Sequence, residues 1–332
     1  MILHSVIEAD NPAFSHYWDK LYQNDPLQHP LYAQPSHEGT ELNREDSRFI
    51  DRSFLVIAED EPVFACSVTT HTDECGRKCM GYFGMEASTH VNRSSMQESS
   101  NNFRPEAISL LQQHVGQLIE EIRPDSFNYL DPVSCGIMSP VTVLMLEKGA
   151  TPTVEKAQVM DLTLSEHLLH RNLGKGYRGF INWGQRNLEI DVISQKNVDY
   201  KDLHSLQAVF QAGILVGNLP FSSWQAIEKL IRRGNAFLVQ ASYGSGLTAN
   251  ALFVHTKKSC HYVFGEIGPE SSDRPVLHAL IWEAILYSKR MGCVQLNLGR
   301  SSAGKADHAF DTAQVPGFGG QAHTRLKVTL AQ

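Results

Sequence analysis

Apolar and polar positions are most regularly patterned in the second half of the chain. Val276 to Met291 carries apolar residues at helical spacing, opens behind Arg274-Pro275 and stops at Gly292. A proline at a helix start and a glycine just past its end are the expected punctuation. Cys293–Leu298 then reads as a buried strand that exits into Gly299-Arg300-Ser301-Ser302. Upstream, Ala236–Ser242, Leu247–Thr256 and Cys260–Ile267 read as three strands, joined by hairpin turns at Gly244-Ser245-Gly246 and Lys257-Lys258. Ser165 caps a predicted helix that continues to about Arg186, with Leu168, Leu169, Leu173, Tyr177, Phe180 and Ile181 at helical spacing. Leu188–Ser194 is predicted as a strand, Tyr200–Gly213 and Ser222–Arg233 as helices, and Arg325–Leu330 as the last strand.

The first half repeats that order more faintly. Asn11–Tyr22 reads as a helix, and Phe54–Ala58, Val63–Thr70 and Cys79–Phe83 as strands. Pro105–Ile122 is an amphipathic helix with Ile108, Leu111, Val115, Leu118 and Ile119 on one face. A strand at Ser126–Leu130 and a helix at Ser139–Lys148 follow, while the Ser- and Asn-rich Thr89–Arg104 reads as an irregular loop. Each half therefore holds a three-strand antiparallel meander, a long helix and one more strand. This predicts an α+β chain of two tandem domains, 1–164 and 165–332, each a mixed central sheet flanked by helices.

Composition narrows the class. The chain has 332 residues, 42% of them apolar and 20% charged, which suits packed cores rather than disorder. No run approaches the roughly 18 apolar residues of a membrane span, and the first residues lack a secretory pattern. Six scattered cysteines fit reduced thiols, so a cytoplasmic location is expected. The net charge of −7 disfavours broad binding to DNA. A local basic patch runs from His170-Arg171 through Lys175 and Arg178 to Arg186.

Candidate chemistry clusters near the strand exits. Ligands in open α/β sheets sit beyond the carboxyl ends of strands, which singles out Arg300, Ser301 and Ser302, an anion-binding set of one guanidinium and two hydroxyls. Glu266 ends the strand that begins at Cys260 and is a candidate general base, with Gly265 beside it as a point of close substrate approach. Tyr262 and Asn297 line the same region as candidate substrate-binding residues. Lys175 and Arg178, three apart on one helix, can hold one diphosphate or nucleotide-sugar. Tyr82 and Asp131 are the corresponding strand ends of the first half. Trp183, Trp282 and His278 have apolar neighbours and read as core. Cys75, Cys79 and His71 lack a second ligand pair, so no metal is expected. A nucleophile elbow and a Cys-His protease signature are both missing, so direct transfer without a covalent enzyme intermediate is the simpler chemistry.

Three segments carry a family resemblance: Leu173-Gly174-Lys175-Gly176-Tyr177-Arg178-Gly179-Phe180-Ile181-Asn182-Trp183-Gly184, the helix through Leu280-Ile281-Trp282-Glu283-Ala284-Ile285 leading to Asn297-Leu298-Gly299-Arg300-Ser301, and Gly317-Phe318-Gly319-Gly320. In this order they resemble the FemAB-like family, whose chains are tandem domains of the GNAT (acyl-CoA N-acyltransferase) fold. The resemblance implies a transferase that moves an acyl or aminoacyl group to an amine on an activated sugar or a peptidoglycan or polysaccharide precursor. It implies acyl-CoA or aminoacyl-tRNA as donor, a small-molecule or nucleotide-sugar acceptor, and tRNA as a possible partner. Many members follow a Phe with Lys shortly before the aromatic-Gly segment. Here Asp311 follows Phe310, so that role is vacant or is taken by Lys305. Ile267–Ser272 carries Pro269 and Glu270 where acetyl-CoA-binding members have a glycine-rich pyrophosphate loop. Two alternatives stay open: a catalytically inactive binding module, and an aminoacyl-tRNA-dependent peptidoglycan-bridge transferase.

Overall fold

A computed structural model describes residues 4–24, 49–82, 86–91, 105–133, 136–198, 224–244, 246–267, 274–300 and 317–331. In the second half, β11 (Ala236–Tyr243), β12 (Gly246–His255) and β13 (Ser259–Ile267) form the expected antiparallel meander. The β12–β13 turn is fixed by Thr256, whose Oγ1 accepts from the N–H groups of Lys258 (3.2 Å) and Ser259 (2.9 Å). Helix α7 (Val276–Arg290) returns the chain so that β14 (Gln295–Arg300) lies parallel to β13. The alternation of the strands decides what α7 covers. Phe237, Val239, Ala249, Ala251 and Phe253 face it and join Leu277, Leu280, Ile281 and Ile285 in one buried core.

Helix α7 is buried on nearly every side because two further helices cover its outer face. The single helix expected from Ser165 to Arg186 is in fact two, α4 (Glu166–Asn172) and α5 (Lys175–Asn187). The break has a local cause. Gly174 N–H leaves the helical ladder and donates to Gly317 O at 2.8 Å, and Leu173 is extended. Helix α5 then reaches α7 at Gly184, where a Cβ would run into the Cβ of Ala279. Ser165 caps α4 as its sequence suggests, accepting from Leu168 N–H.

The first half splits its meander between two sheets. Strands β1 (His4–Glu8), β3 (Phe54–Ala58), β4 (Glu61–Ser67) and β7 (Ser88–Val91) form a four-stranded antiparallel sheet. Helix α1 (Phe14–Asn24) covers its Leu55 and Ile57 side, and α2 (Pro105–Ile122) packs with Phe54 and Val56 on the other. The strand expected at Val63–Thr70 breaks at Val68, where Ser53 Oγ takes over the backbone pairing by accepting from Val68 N–H and donating to Val68 O. The chain thereby crosses into β5 (Thr69–Thr72), which pairs with β2 (Ile50–Asp51) and β6 (Lys78–Gly81) beside β8 (Ser126–Asp131). Strand β7 occupies the start of the segment expected to be an irregular loop. The helix expected at 200–213 lies outside the described residues, while α6 (Trp224–Arg232) stands close to its expected place.

The halves are joined by exchange of strands. Strand β9 (Thr151–Asp161) pairs with β14 along its end, and with β15 (Gln321–Ala331) along most of its length. Strand β15 also pairs with β8 and gives Val328 and Leu330 to the first core. One eleven-stranded sheet results, in the order β10-β11-β12-β13-β14-β9-β15-β8-β6-β5-β2, with β10 (Glu189–Ile193) at its edge. We propose that the chain-order division at 164/165 separates two related halves, each completed by a strand pairing into the other's sheet.

Candidate active site

The site is built on a fork between β13 and β14. The two strands pair over only three positions, Ser259 with Gln295, Cys260 with Leu296 and His261 with Asn297. Buried polar contacts pin the base of the fork. Ser259 Oγ lies 2.9 Å from His261 Nε2, and Gln295 Nε2 donates to Ser259 Oγ at 3.1 Å. Past His261 the strands follow different partners, for two reasons. Strand β13 carries a bulge against β12, where Phe253 pairs with Tyr262 and Leu252 with Phe264. Strand β14 carries another against β9 between Asn297 and Arg300, with Gly299 at φ 86°. Bulges bend and twist a strand locally, and two of them on adjacent strands open the sheet.

Four of the expected site residues fall on this fork. Tyr262 is the first residue of β13 past the pairing. Its phenol is buried, which raises its pKa and keeps it a protonated donor at neutral pH. Asn297 is 3% exposed, and its Oδ1 accepts from Gly299 N–H at 2.9 Å, so its amide shapes the β14 bulge. By backbone position, Glu266 lies further out on β13 and pairs with Asn250, while Arg300 lies at the end of β14 and pairs with Ala157. Ser301, Ser302, Lys305 and Asp311 lie outside the described residues.

The remaining candidates are elsewhere. Lys175 and Arg178 are exposed on α5, in the helix layer outside α7, and not on the strands of the fork. Gly265 does not leave room for a substrate. A Cβ there would lie 2.7 Å from the Tyr262 hydroxyl and 2.9 Å from Leu277 Cδ2, so the glycine permits packing within the protein. Asp131 is buried and fully engaged, accepting from Val133 N–H, Ser139 N–H and Thr142 Oγ1 at 2.6–2.8 Å, and so fixes the start of α3 (Pro140–Glu147). Trp282 and His278 are core residues, as expected. His278 packs among Tyr177, Phe180 and Phe318, and burial lowers its pKa to about 4. Trp183 stacks on Tyr243, which also carries the Arg274 guanidinium 4.4 Å above its ring.

The Gly317-Phe318-Gly319-Gly320 segment is a clasp. Tyr177 packs against Gly317 so closely that no Cβ would fit, and Gln158 Nε2 donates to Gly319 O at 2.6 Å. Gly319 and Gly320 have φ of 83° and 86°, and a Cβ on either would strike Asn172 O or Val159 O. The segment ties the α4–α5 break to β9.

Other chemistries find little support here. Burial raises the Cys293 thiol to about 11 and pushes Cys260 up as well, so both stay protonated and poorly nucleophilic. Among the described residues, no three His, Cys, Asp or Glu side chains converge on a position for a metal ion, and no helix is long and apolar enough to cross a membrane. Sequence reasoning passed over Asn250, His261 and Gln295. Each is flanked by apolar residues in the sequence, and only the register brings them to the fork.

No family model matches the chain, and no curated protein matches it in sequence. Solved structures do match in shape. The crystal structure of FemX superposes with a TM-score of 0.66 at 10% identity, covering 94% of this chain and 95% of FemX. A tandem GNAT protein from the clavulanic acid biosynthesis pathway gives 0.57 at 10% identity, over 100% of this chain and 98% of that one. The fold is the tandem GNAT fold. A glucosamine N-acetyltransferase region of a fungal multi-domain β-N-acetylglucosaminidase adds a TM-score of 0.51 at 10% identity, over 99% of this chain and 38% of that protein. The FemAB-like resemblance of the sequence and the tandem GNAT fold therefore agree at the level of architecture.

Proposed function

We propose that this tandem GNAT protein is an N-acyltransferase that moves an acyl group from acyl-CoA to an amine on an amino sugar or a cell-envelope precursor. The observation that carries this reading is the fork, with Glu266 on one arm and Arg300 on the other. Past the three paired positions, the edges of β13 and β14 that face each other no longer pair together. Their backbone donors and acceptors can hold an extended donor chain, as an open sheet edge holds a peptide. In this reading the amine arrives protonated and gives a proton to the Glu266 carboxylate. Its nitrogen then forms a bond to the acyl carbon as the carbon–sulfur bond breaks. The second N–H proton passes from the nitrogen to the departing sulfur, so that the thiol leaves neutral. Arg300, with Ser301 and Ser302, binds the anionic part of a substrate, and Lys175 with Arg178 offers a second anion site on α5.

Support for an amino-sugar acceptor comes from the similarity to a region described as a glucosamine N-acetyltransferase. Acyl-CoA ranks ahead of aminoacyl-tRNA because a tRNA needs a wide basic surface, whereas this chain carries a net charge of −7. The exposed basic run on α4 and α5 favours the aminoacyl-tRNA reading as the second one. The test is release of free thiol from acetyl-, succinyl- and long-chain acyl-CoA with glucosamine and UDP-amino sugars, run beside transfer from labelled aminoacyl-tRNA. Thiol release that requires the amine is the expected result. Donor binding without turnover across the panel indicates an inactive module instead.

A further inference from the structure

We propose that Asn250 is the residue that holds the acceptor's amino group, at the centre of a polar row crossing the sheet beside the fork. This inference rests on the acyltransferase reading above. The row follows from the register. Asp191 of β10 pairs with Gln240 of β11, Gln240 pairs with Asn250 of β12, and Asn250 pairs with Glu266 of β13. Residues directly opposite each other on antiparallel strands share one face of the sheet, so these four positions form a line across four strands. The line lies on the face turned away from α7, because the alternate residues Val239, Ala241, Ala249 and Ala251 belong to the core under that helix. The next row on the same face, Ile193, Leu238 and Leu252, is apolar and buried. The residue types at these positions, two acids and two amides with an apolar row on one side, suit a cationic, hydroxylated ligand rather than an anion or an acyl chain.

Asn250 carries the argument beyond a pattern of charge. It is 4% exposed, and its Oδ1 is buried without a hydrogen-bond partner. Buried amide oxygens almost always accept a hydrogen bond, and each exception calls for an explanation. The polar groups at the base of the fork, Ser259, His261 and Gln295, do pair with one another. Asn250 Oδ1, by contrast, is an unpaired acceptor on the strand next to the backbone position of the candidate base. An ammonium or amine N–H donating to Asn250 Oδ1 would be held one strand away from Glu266. Asn250 keeps its own atoms unchanged throughout and acts by positioning the nitrogen.

Binding of D-glucosamine and of N-acetyl-D-glucosamine to the full chain, measured by titration calorimetry, tests the inference. The two probes differ in whether the nitrogen is a basic amine. The wild-type chain is expected to prefer glucosamine by at least about tenfold, the scale of one hydrogen bond to a charged group. Asn250→Leu is expected to abolish that preference, and Asn250→Asp, which retains an acceptor oxygen, to keep it. An Asn250→Leu chain that retains the preference overturns the inference, as does a wild-type chain with none. If Asn250→Leu does not fold, loss of the preference in a folded Asn250→Asp chain overturns it equally. Acyl transfer with an unchanged glucosamine KM in Asn250→Leu overturns the role of Asn250 and leaves the proposed function standing. Amine preference without transfer from any donor does the reverse.

Discussion

Gly184 marks how closely single residues are specified in this chain. A Cβ at that position collides with Ala279, and the glycine's own backbone is ordinary helix, so the constraint is one of space alone. Gly184→Ala is expected to destabilise by about 1–3 kcal/mol through overpacking, read as a lower midpoint in urea. His278 gives a second expectation at the same scale. Its imidazole is neutral in the fold with a pKa near 4, and the ordinary value is 6.5. The unfolded chain therefore takes up the proton first as pH falls. The contribution is full above pH 6.5 and is lost between there and pH 4. At pH 5, linkage puts the loss at about 2 kcal/mol. Urea unfolding of wild type and His278→Leu at pH 7.5 and pH 5 checks this, and the variant is expected to lose less stability on acidification. Both residues are ordinary in the sequence. Gly184 sits in a glycine-containing helix and His278 reads simply as core, and only the α5–α7 contact gives each its role.

At the scale of elements, helices and central strands are readable and the connecting strands are not. The amphipathic period of Pro105–Ile122 marks α2 to the residue, because one face packs on a sheet and the other meets water. Strand β9 has no such signature. Its first four residues are exposed and only Ala157–Met160 are buried, since it bridges two cores instead of lining one. The α4–α5 break is invisible for a related reason. Leu169, Leu173 and Ile181 keep a helical period through it, while its cause, Gly317, is more than a hundred residues away. The fork was legible only as strand ends. Its bulges depend on which strand pairs with which. Strand β15 supplies a test of the exchange. Leu330 is 3% exposed in the first core though it lies near the last residue of the chain. Leu330→Ala is expected to cost about 2–5 kcal/mol, measured as a fall in unfolding free energy. A loss below about 0.5 kcal/mol would indicate that β15 does not complete that core.

Across the whole molecule, the exchanged strands make one sheet of the two halves. Unfolding either half strips β9 or β15 from the other, so the described halves are expected to melt in a single calorimetric transition, with two resolved transitions as the contrary result. The same continuity sets the fork's geometry, because β14 is held open by β9, a strand that arrives from the first half. The fork in turn carries the central claim, acyl transfer to an amine between Glu266 and Arg300. The most direct measurement is kcat/KM for transfer from acetyl-CoA to glucosamine in the wild type and in the Glu266→Ala, Arg300→Ala double variant, with matched melting temperatures. Loss of a general base and of an anion-binding group is expected to lower it by about 10³-fold or more. A double variant that retains transfer within about threefold of wild type contradicts the assignment of catalysis to the fork.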